Sequence, residues 1–354
     1  MHFMKNVFVF PFTANQLPLL RYQALNKDIN IVPVLPPCYQ LPDCNLAILD
    51  HGAPVSFTTT DYKCASKDDS FCFSHGDHHY GSIEFGTKFL KELHNTGSRI
   101  EADLSPWELE QVQSYDSGAY DRIKSTNWGS DVIQQSLRYR DELNDIRASV
   151  YAVGSLMADN NKAEVCLVLT QHLRNTGKKA VCVLSEYVYH YLGVNTINYY
   201  DVLSDTPDNM LLRINHYFYG LQQSTNCDCI VCDIPGSLFK YSKKVVNSAG
   251  IYAFILSQAI SINKLICCAP LSYSTMEYYQ LIADQIHSKF DVGEVYFHMS
   301  NYMFMSNAIP VSGSLPGCYV PASTYESVLA EVNKSGAFLY DFRKEDQLAV
   351  SGLN

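Results

Sequence analysis

The chain has 354 residues and a formal net charge of −10, with 47% hydrophobic and 18% charged side chains. This composition is typical of a compact globular protein and excludes a largely disordered chain. The acidic balance argues against a nucleic-acid partner and against binding to an anionic membrane, because both need a basic surface. The length allows two domains, each with a core of its own.

The first part of the chain, residues 1–130, has the pattern of a small Rossmann-like α/β domain. Apolar runs predict strands at residues 7–10, 29–34 and 46–49, and apolar residues at helical spacing predict a helix at 17–25. Strands that alternate with helices in this way predict a parallel sheet.

A polar loop at residues 50–80 carries weak candidate metal ligands: Cys72, His75, His78 and His79. Imidazole and thiolate groups are the usual ligands of zinc. The interval from Cys64 to Cys72 is too wide for a zinc knuckle, and the histidines have no closed partner pair. Three interpretations stay open: an exposed structural loop, which the spacing favours, a metal site, and a catalytic role for one histidine.

The lack of a signal peptide and of a transmembrane segment predicts a cytoplasmic protein without a membrane partner. The apolar run near the N-terminus is too short for a signal peptide, and no segment reaches the roughly 18 apolar residues of a transmembrane helix. In the reducing cytoplasm the twelve cysteines would be thiols. We predict that those in apolar strands are small core residues: Cys166, Cys182, Cys267 and Cys268.

An amphipathic, charged stretch at residues 131–147 predicts a helix that links the first domain to a second domain at 148–354. From residue 149 to 297, apolar strands and amphipathic helices alternate without interruption. That alternation predicts a doubly wound parallel sheet in the second domain.

A βαβ unit at residues 149–184 contains the first candidate site. Its first strand leads into a loop at Gly154, and Lys162 stands at the start of the following helix. Free N–H groups at a helix N-terminus favour an anion, and a lysine there suits a phosphate. The regular phosphate-binding loop places the lysine six positions after the first glycine, whereas the interval here is eight. Asn161 replaces the second glycine and Ala163 the magnesium-binding Ser or Thr, which puts the usual magnesium coordination in doubt.

A second candidate element is the apolar strand at residues 229–232, which ends in Asp233 and a turn at Gly236. A carboxylate at this place would meet a magnesium ion or the attacking water at the same edge of the sheet. Three cysteines lie in or beside the strand: Cys227, Cys229 and Cys232. We favour core cysteines over a metal cluster, because side chains on a strand alternate between faces and these three do not converge.

Residues 148–300 resemble the P-loop proteins of the dethiobiotin-synthetase and MinD-like class, through Gly154, Lys162, the 173–180 segment and Asp233-Ile-Pro-Gly236. The resemblance implies a degenerate P-loop domain that binds ATP or GTP with magnesium. Lys162 and Asp233 would be its catalytic residues. The phosphate-binding residues would be Gly154, Asn160, Asn161, Lys162, Ala163 and Gly236.

Most of the chain is also similar to the clostridial peptide maturation system proteins, which are encoded beside a radical SAM maturase and a Cys-rich peptide. The similarity lies in Val9-Phe-Pro-Phe12, Leu19-Leu-Arg-Tyr22, the 31–37 segment and Asp233-Ile-Pro-Gly236. It implies an accessory role in the maturation of a ribosomally made peptide, with the precursor peptide and the maturase as partners.

Three functional hypotheses follow. The first is an accessory protein that binds a nucleotide or another phosphate compound at the degenerate loop, and a hydrolase-like or ligase-like activity is left open. The second is an inactive scaffold that binds a leader peptide or a modifying enzyme, which the loss of the hydroxyl at Ala163 favours. The third is a metal-handling protein that uses the loop at 50–80. The oligomeric state and the choice between ATP and GTP are left open.

Overall fold

The computed structural model describes residues 5–10, 12, 16–35, 45–52, 55–57, 68–73, 99–102, 110, 113–114, 123–125, 142–157, 161–199, 205–243, 246–272, 274–304, 317–334, 336 and 338–353. The chain divides into two compact units, one of Met1–Trp128 with Glu186–Thr196 and one of Gly129–Ser185 with Ile197–Asn354. Both contain a sheet whose paired strands are parallel. This confirms the predicted two-domain α/β class.

The first unit has a five-stranded sheet in the order β2-β1-β3-β4-β5. Its strands are β1 (Lys5–Phe10), β2 (Ile29–Pro33), β3 (Ser70–Phe73), β4 (Arg99–Ala102) and β5 (Ile123–Ser125). The last four residues of β1 are all buried, as expected for a parallel strand that is covered on both faces.

Two short helices belong to the same unit, α1 (Leu17–Arg21) and α2 (Leu46–Asp50). The strand that we predicted at 46–49 is therefore wrong. The side chain of Asn45 accepts a hydrogen bond from the Ala47 N–H and caps the helix. A short apolar run has no period that separates strand from helix, so the local cap decides.

The second sheet has seven strands in the order β14-β11-β10-β6-β9-β7-β8. They are β6 (Ser149–Ser155), β7 (Ala180–Leu184), β8 (Asn195–Thr196), β9 (Cys229–Asp233), β10 (Lys264–Ala269), β11 (Glu294–Met299) and β14 (Leu339–Tyr340). A separate antiparallel pair, β12 (Tyr302–Phe304) and β13 (Gly317–Tyr319), follows β11.

Six helices of the second unit are α3 (Asn161–Asn175), α4 (Pro207–Thr225), α5 (Ile251–Ala259), α6 (Met276–Phe290), α7 (Ala322–Lys334) and α8 (Glu345–Ser351). Side chains of α4 to α7 share one core with alternate residues of the strands, among them Ala152, Ile230 and Leu265. Helix α3 buries a separate row that includes Val165 and Leu169. Helices thus cover both faces of the sheet, which is the predicted doubly wound arrangement.

Residues 142–147, the described part of the predicted linking helix, are not helical. Side chains of α4 hold their backbone instead. Asn215 accepts from the Asn144 N–H at 2.7 Å, and Gln222 accepts from the Arg147 and Ala148 N–H groups at 2.7 and 2.8 Å. In a helix, backbone N–H groups donate to carbonyl groups of the same helix, whereas these N–H groups donate to side chains of α4. Residues 131–141 lie outside the described part of the chain.

The cysteines of the second unit that we predicted to be core residues are buried, although Cys166 lies in helix α3 and not in a strand as predicted. Seven of them are at most 8% exposed: Cys166, Cys182, Cys227, Cys229, Cys232, Cys267 and Cys268. Burial raises the pKa of the Cys166 and Cys232 thiols well above the ordinary value, so these side chains are neutral packing groups. Across the described residues, no helix is long and apolar enough to cross a membrane.

Candidate functional site

The candidate site lies at the carboxyl edge of the second sheet, where β6 and β9 are neighbours. Val153 of β6 is in register with Asp233, the last residue of β9. After β6 the chain enters α3, whose first turn carries Lys162. Because parallel strands present their carboxyl ends at one edge, Lys162 and Asp233 are brought together from positions 71 residues apart.

The Lys162 ammonium group is held by the turn that follows β9. It donates hydrogen bonds to the carbonyl oxygens of Ile234 at 2.7 Å and Gly236 at 3.0 Å. Gly236 has a φ of 70°, which glycine adopts without a steric penalty. An ammonium group has three N–H donors, and the described residues accept two of them here.

Asp233 is buried, with 6% of its surface exposed. Its two carboxylate oxygens accept hydrogen bonds from the Ser185 N–H and the Ser185 hydroxyl, both at 2.6 Å. Burial raises the pKa of this carboxyl, and the positive charge of Lys162 and the bonds from Ser185 oppose the rise. The negative charge is therefore costly at this position and favours a cation nearby.

Gly154 is needed for packing. A Cβ atom at this position would lie 2.7 Å from Cδ2 of Leu238. The Leu238 N–H donates to the Ser155 carbonyl at 2.7 Å, and the Ile234 N–H donates to the Val153 carbonyl at 2.8 Å. The chain after β9 is thus fastened along the end of β6, which positions the carbonyl groups that hold Lys162.

The remaining predicted phosphate ligands lie at the start of α3. Asn161 is its first residue, and its side-chain oxygen accepts a hydrogen bond from the Ser300 hydroxyl after β11. Ala163 is buried at 8% exposure and has no hydroxyl for a metal ion. Asn160 lies outside the described residues. The first N–H groups of an α-helix have no partners within the helix, so the first turn of α3 can offer donors to an anion.

Of the four predicted metal ligands, Cys72 is the one that the structure describes. Cys72 is buried in β3 of the first unit, opposite Glu101 of β4. His75, His78 and His79 lie outside the described residues. No group of three His, Cys, Asp or Glu side chains suited to a metal ion occurs in the part of the chain that the structure describes. The metal hypothesis for the loop at 50–80 therefore stays a prediction.

Two features of the edge were not predicted from the sequence. Ser185, which holds Asp233, directly follows β7. A search for the polar residue that follows each apolar strand would have identified Ser185 from the sequence. The second feature is a buried ion pair, in which Arg343 donates to the two oxygens of Asp341 at 2.8 and 3.1 Å and to Asn301 at 2.9 Å.

Comparison with known proteins gives a fold. No protein-family model and no curated protein matches the sequence. The crystal structure of a DUF1611 family protein from Anabaena variabilis is similar at 10% identity, over 99% of each chain, with a TM-score of 0.60.

Two further similarities are too weak to show a shared fold. Chloroplast FtsY from Physcomitrella patens matches 72% of this chain and 90% of its own at 12% identity, with a TM-score of 0.29. Folylpolyglutamate synthase from Thermotoga maritima matches 62% and 61% at 10% identity, with a TM-score of 0.28. The similarity to the DUF1611 family protein shows that this chain shares the fold of that protein over almost its full length.

Proposed function

We propose that this protein binds a phosphate compound of the nucleotide class at the carboxyl edge of β6 and β9. The observation that carries the proposal is the position of Lys162, in the first turn of α3 and at bonding distance from the turn after Asp233. A helix N-terminus, a lysine and a carboxylate are the groups that phosphate sites of this topology use.

Each group has a distinct task in this proposal. The N–H groups of Asn161, Lys162 and Ala163 face the phosphate oxygens, which the positive end of the helix dipole also attracts. The Lys162 ammonium binds the terminal phosphate oxygens. Asp233 holds a water molecule of a magnesium ion that arrives with the nucleotide, or orients water.

The resting bonds of Lys162 favour this task. Carbonyl oxygens are neutral acceptors, whereas a phosphate oxygen also carries a negative charge that attracts the ammonium group. The carbonyl groups of Ile234 and Gly236 hold the ammonium at the edge, so little side-chain entropy is lost when the anion binds.

Binding is a better supported proposal than turnover. Ala163 cannot supply the hydroxyl that usually holds the magnesium ion. Hydrolase-like or ligase-like chemistry with ATP or GTP would therefore depend on Asp233 and on solvent ligands. The wider role, as an accessory protein with a precursor peptide and a radical SAM maturase as partners, rests on the sequence resemblance alone.

The second candidate function is a scaffold without nucleotide chemistry. One observation favours it: Lys162 already has a structural task, since it joins α3 to the turn at 234–236. A lysine that serves only to join α3 to this turn would bind no phosphate. The experiment must therefore separate the loss of this support from the loss of an anion site.

Calorimetric titration with ATP and with GTP, each with and without magnesium, tests the proposal. The variant is Lys162→Ala and the matched control is Lys289→Ala. Lys289 also donates to two backbone carbonyls, of Leu238 at 3.5 Å and Ala249 at 3.2 Å. It belongs to α6, and its loss removes comparable support from the segment after β9 without touching the start of α3.

We expect binding by the unmodified protein and by Lys289→Ala, and a loss of at least about 10-fold in affinity for Lys162→Ala, since a hydrogen bond to a charged group contributes roughly 1.5–3 kcal/mol. Equal affinity in Lys162→Ala would contradict the site. If the folded, unmodified protein bound neither nucleotide, the scaffold would become the preferred function.

A further inference from the structure

The antiparallel pair β12–β13 presents three aromatic rings on one side. Tyr302 and Tyr319 are directly opposite each other, and Phe304 lies two residues along the strand from Tyr302. The ring of Tyr302 meets the rings of Phe304 and Tyr319 edge to face, with centroids 5.2 and 5.1 Å apart. All three side chains are half-buried. We call these three rings the aromatic platform.

Glycine at position 317 makes the platform possible. A Cβ atom there would lie 2.5 Å from Cε1 and 2.6 Å from Cζ of Tyr302. The Tyr302 ring therefore lies directly over Gly317 and is fixed by close contact on that side. Ring positions that are fixed before binding reduce the entropy lost when a planar ligand stacks on them.

The platform begins at the same edge of the sheet as the candidate phosphate site. The Ser300 hydroxyl, two residues before Tyr302, donates to the side chain of Asn161 at the start of α3. The Tyr302 carbonyl accepts from the Leu271 N–H after β10 at 2.8 Å. Strand β11 is two positions from β6 in the sheet, or roughly 10 Å at the usual strand spacing.

We propose that the aromatic platform binds the base of a nucleotide whose phosphates lie at the start of α3. This inference rests on the proposed function and names its ligand class. Aromatic side chains stack on a base through its π-face, which every base has. A phosphate compound without a base has no ring that could stack on the aromatic platform.

The described residues of the platform also predict its selectivity. The two strands read Tyr-Met-Phe and Gly-Cys-Tyr and contain no charged side chain. Stacking without hydrogen-bond readout tolerates different bases. ATP and GTP should therefore bind with affinities within a few-fold of each other.

The test compares inorganic tripolyphosphate with ATP and GTP by calorimetry on the full chain. The variants are Tyr302→Leu, Tyr319→Leu and, as a control, Met303→Leu. Met303 lies between two platform residues on the same strand, 42% exposed and on the opposite side. Denaturation by urea confirms that each variant is folded, and either tyrosine variant suffices if the other is not.

We expect the unmodified protein to bind ATP about 10- to 100-fold more tightly than tripolyphosphate, the range that stacking on one ring supplies. The tyrosine variants should remove most of that ratio and leave the affinity for tripolyphosphate unchanged. Met303→Leu should retain the full ratio.

Three results would overturn the platform. Equal affinity of the unmodified protein for ATP and tripolyphosphate would remove it and leave the phosphate site standing. Loss of tripolyphosphate binding in both tyrosine variants would make the rings structural supports of that site. Absence of binding by either ligand would refute the proposed function and the platform together.

Discussion

Asp233 and Asp341 are two buried carboxylates of one unit with opposite surroundings. Asp341 is clasped by the guanidinium of Arg343 through two hydrogen bonds. Asp233 accepts its bonds from Ser185, while the nearby ammonium of Lys162 donates to carbonyl groups. Burial acts on both carboxyls, yet the pKa of Asp341 is lowered, chiefly by the Arg343 charge, and the pKa of Asp233 is raised.

The difference separates a direct ion pair from two charged groups whose hydrogen bonds run to neutral partners. The Asp341 and Arg343 pair is internally neutral and joins the end of β14 to Asn301 after β11. The charged groups of Lys162 and Asp233 are bonded to neutral groups at the carboxyl edge of β6 and β9. An anion with a divalent cation would satisfy both, which is the composition of a magnesium nucleotide.

The largest effect that we expect is on stability, from Asp341→Asn. The substitution leaves the Arg343 guanidinium, whose side chain is 17% exposed, without its carboxylate. We expect a loss of about 3 kcal/mol of unfolding free energy, the lower end for a buried pair. Urea denaturation at neutral pH measures it. Asp233→Asn is the matched substitution and should cause no such loss. Equal losses in the two variants would contradict the distinction between the carboxylates.

A smaller loss should follow from Gly154→Ala. The new Cβ atom overlaps the Leu238 side chain, and overpacking of this kind costs about 1–3 kcal/mol. The segment that holds Lys162 should shift with Leu238, so nucleotide affinity should fall as well. Leu238→Ala in the same chain removes the overlap. If the double variant failed to recover binding, the alanine would be acting on a phosphate contact of its own.

Much of this second unit could be predicted from the sequence. The βαβ pattern around Gly154 and the apolar strand before Asp233 have clear periods, so their positions and their meeting at one edge follow from topology. The partners of those residues could not be predicted. Ser185 and the carbonyl of Gly236 are ordinary in sequence, and only the folded chain brings them to Asp233 and Lys162.

Short elements were predicted less well than long ones. Strand β5 has three residues, and α2 has five. Elements this short contain too few residues to show a helical or a strand period, so tertiary contacts and caps decide their structure. The Arg343 and Asp341 pair is local in sequence, but nothing in its spacing shows that it is buried.

The smallest expected effect is the pH-dependent gain in stability of Asp233→Asn. The folded pKa of Asp233 lies above its ordinary value of 3.8. Its favourable contribution is complete below that value and is lost as the pH rises through the folded pKa. Asp233→Asn should therefore be more stable than the unmodified protein at neutral pH, and the gain should vanish in acid.

Asp341 supplies the contrast. Its folded pKa lies below 3.8, so its contribution is present above that value and is lost as the pH falls through the lowered pKa. The deficit of Asp341→Asn should be greatest at neutral pH and should shrink in acid. Urea denaturation at a series of pH values measures both curves. A deficit for both variants at neutral pH would show that Asp233 also belongs to a direct ion pair.

The linkage between ligand binding and folding shows whether the edge around Lys162 binds phosphate. A ligand at 100 times its dissociation constant adds about 2.7 kcal/mol to the unfolding free energy. We would measure urea denaturation of the unmodified protein, Lys162→Met and Lys289→Met, with and without tripolyphosphate. We predict the full gain for the first and third proteins and at most about 1.4 kcal/mol for Lys162→Met, the gain that remains after a 10-fold loss of affinity. The same gain in all three, or none in the unmodified protein, would contradict this prediction.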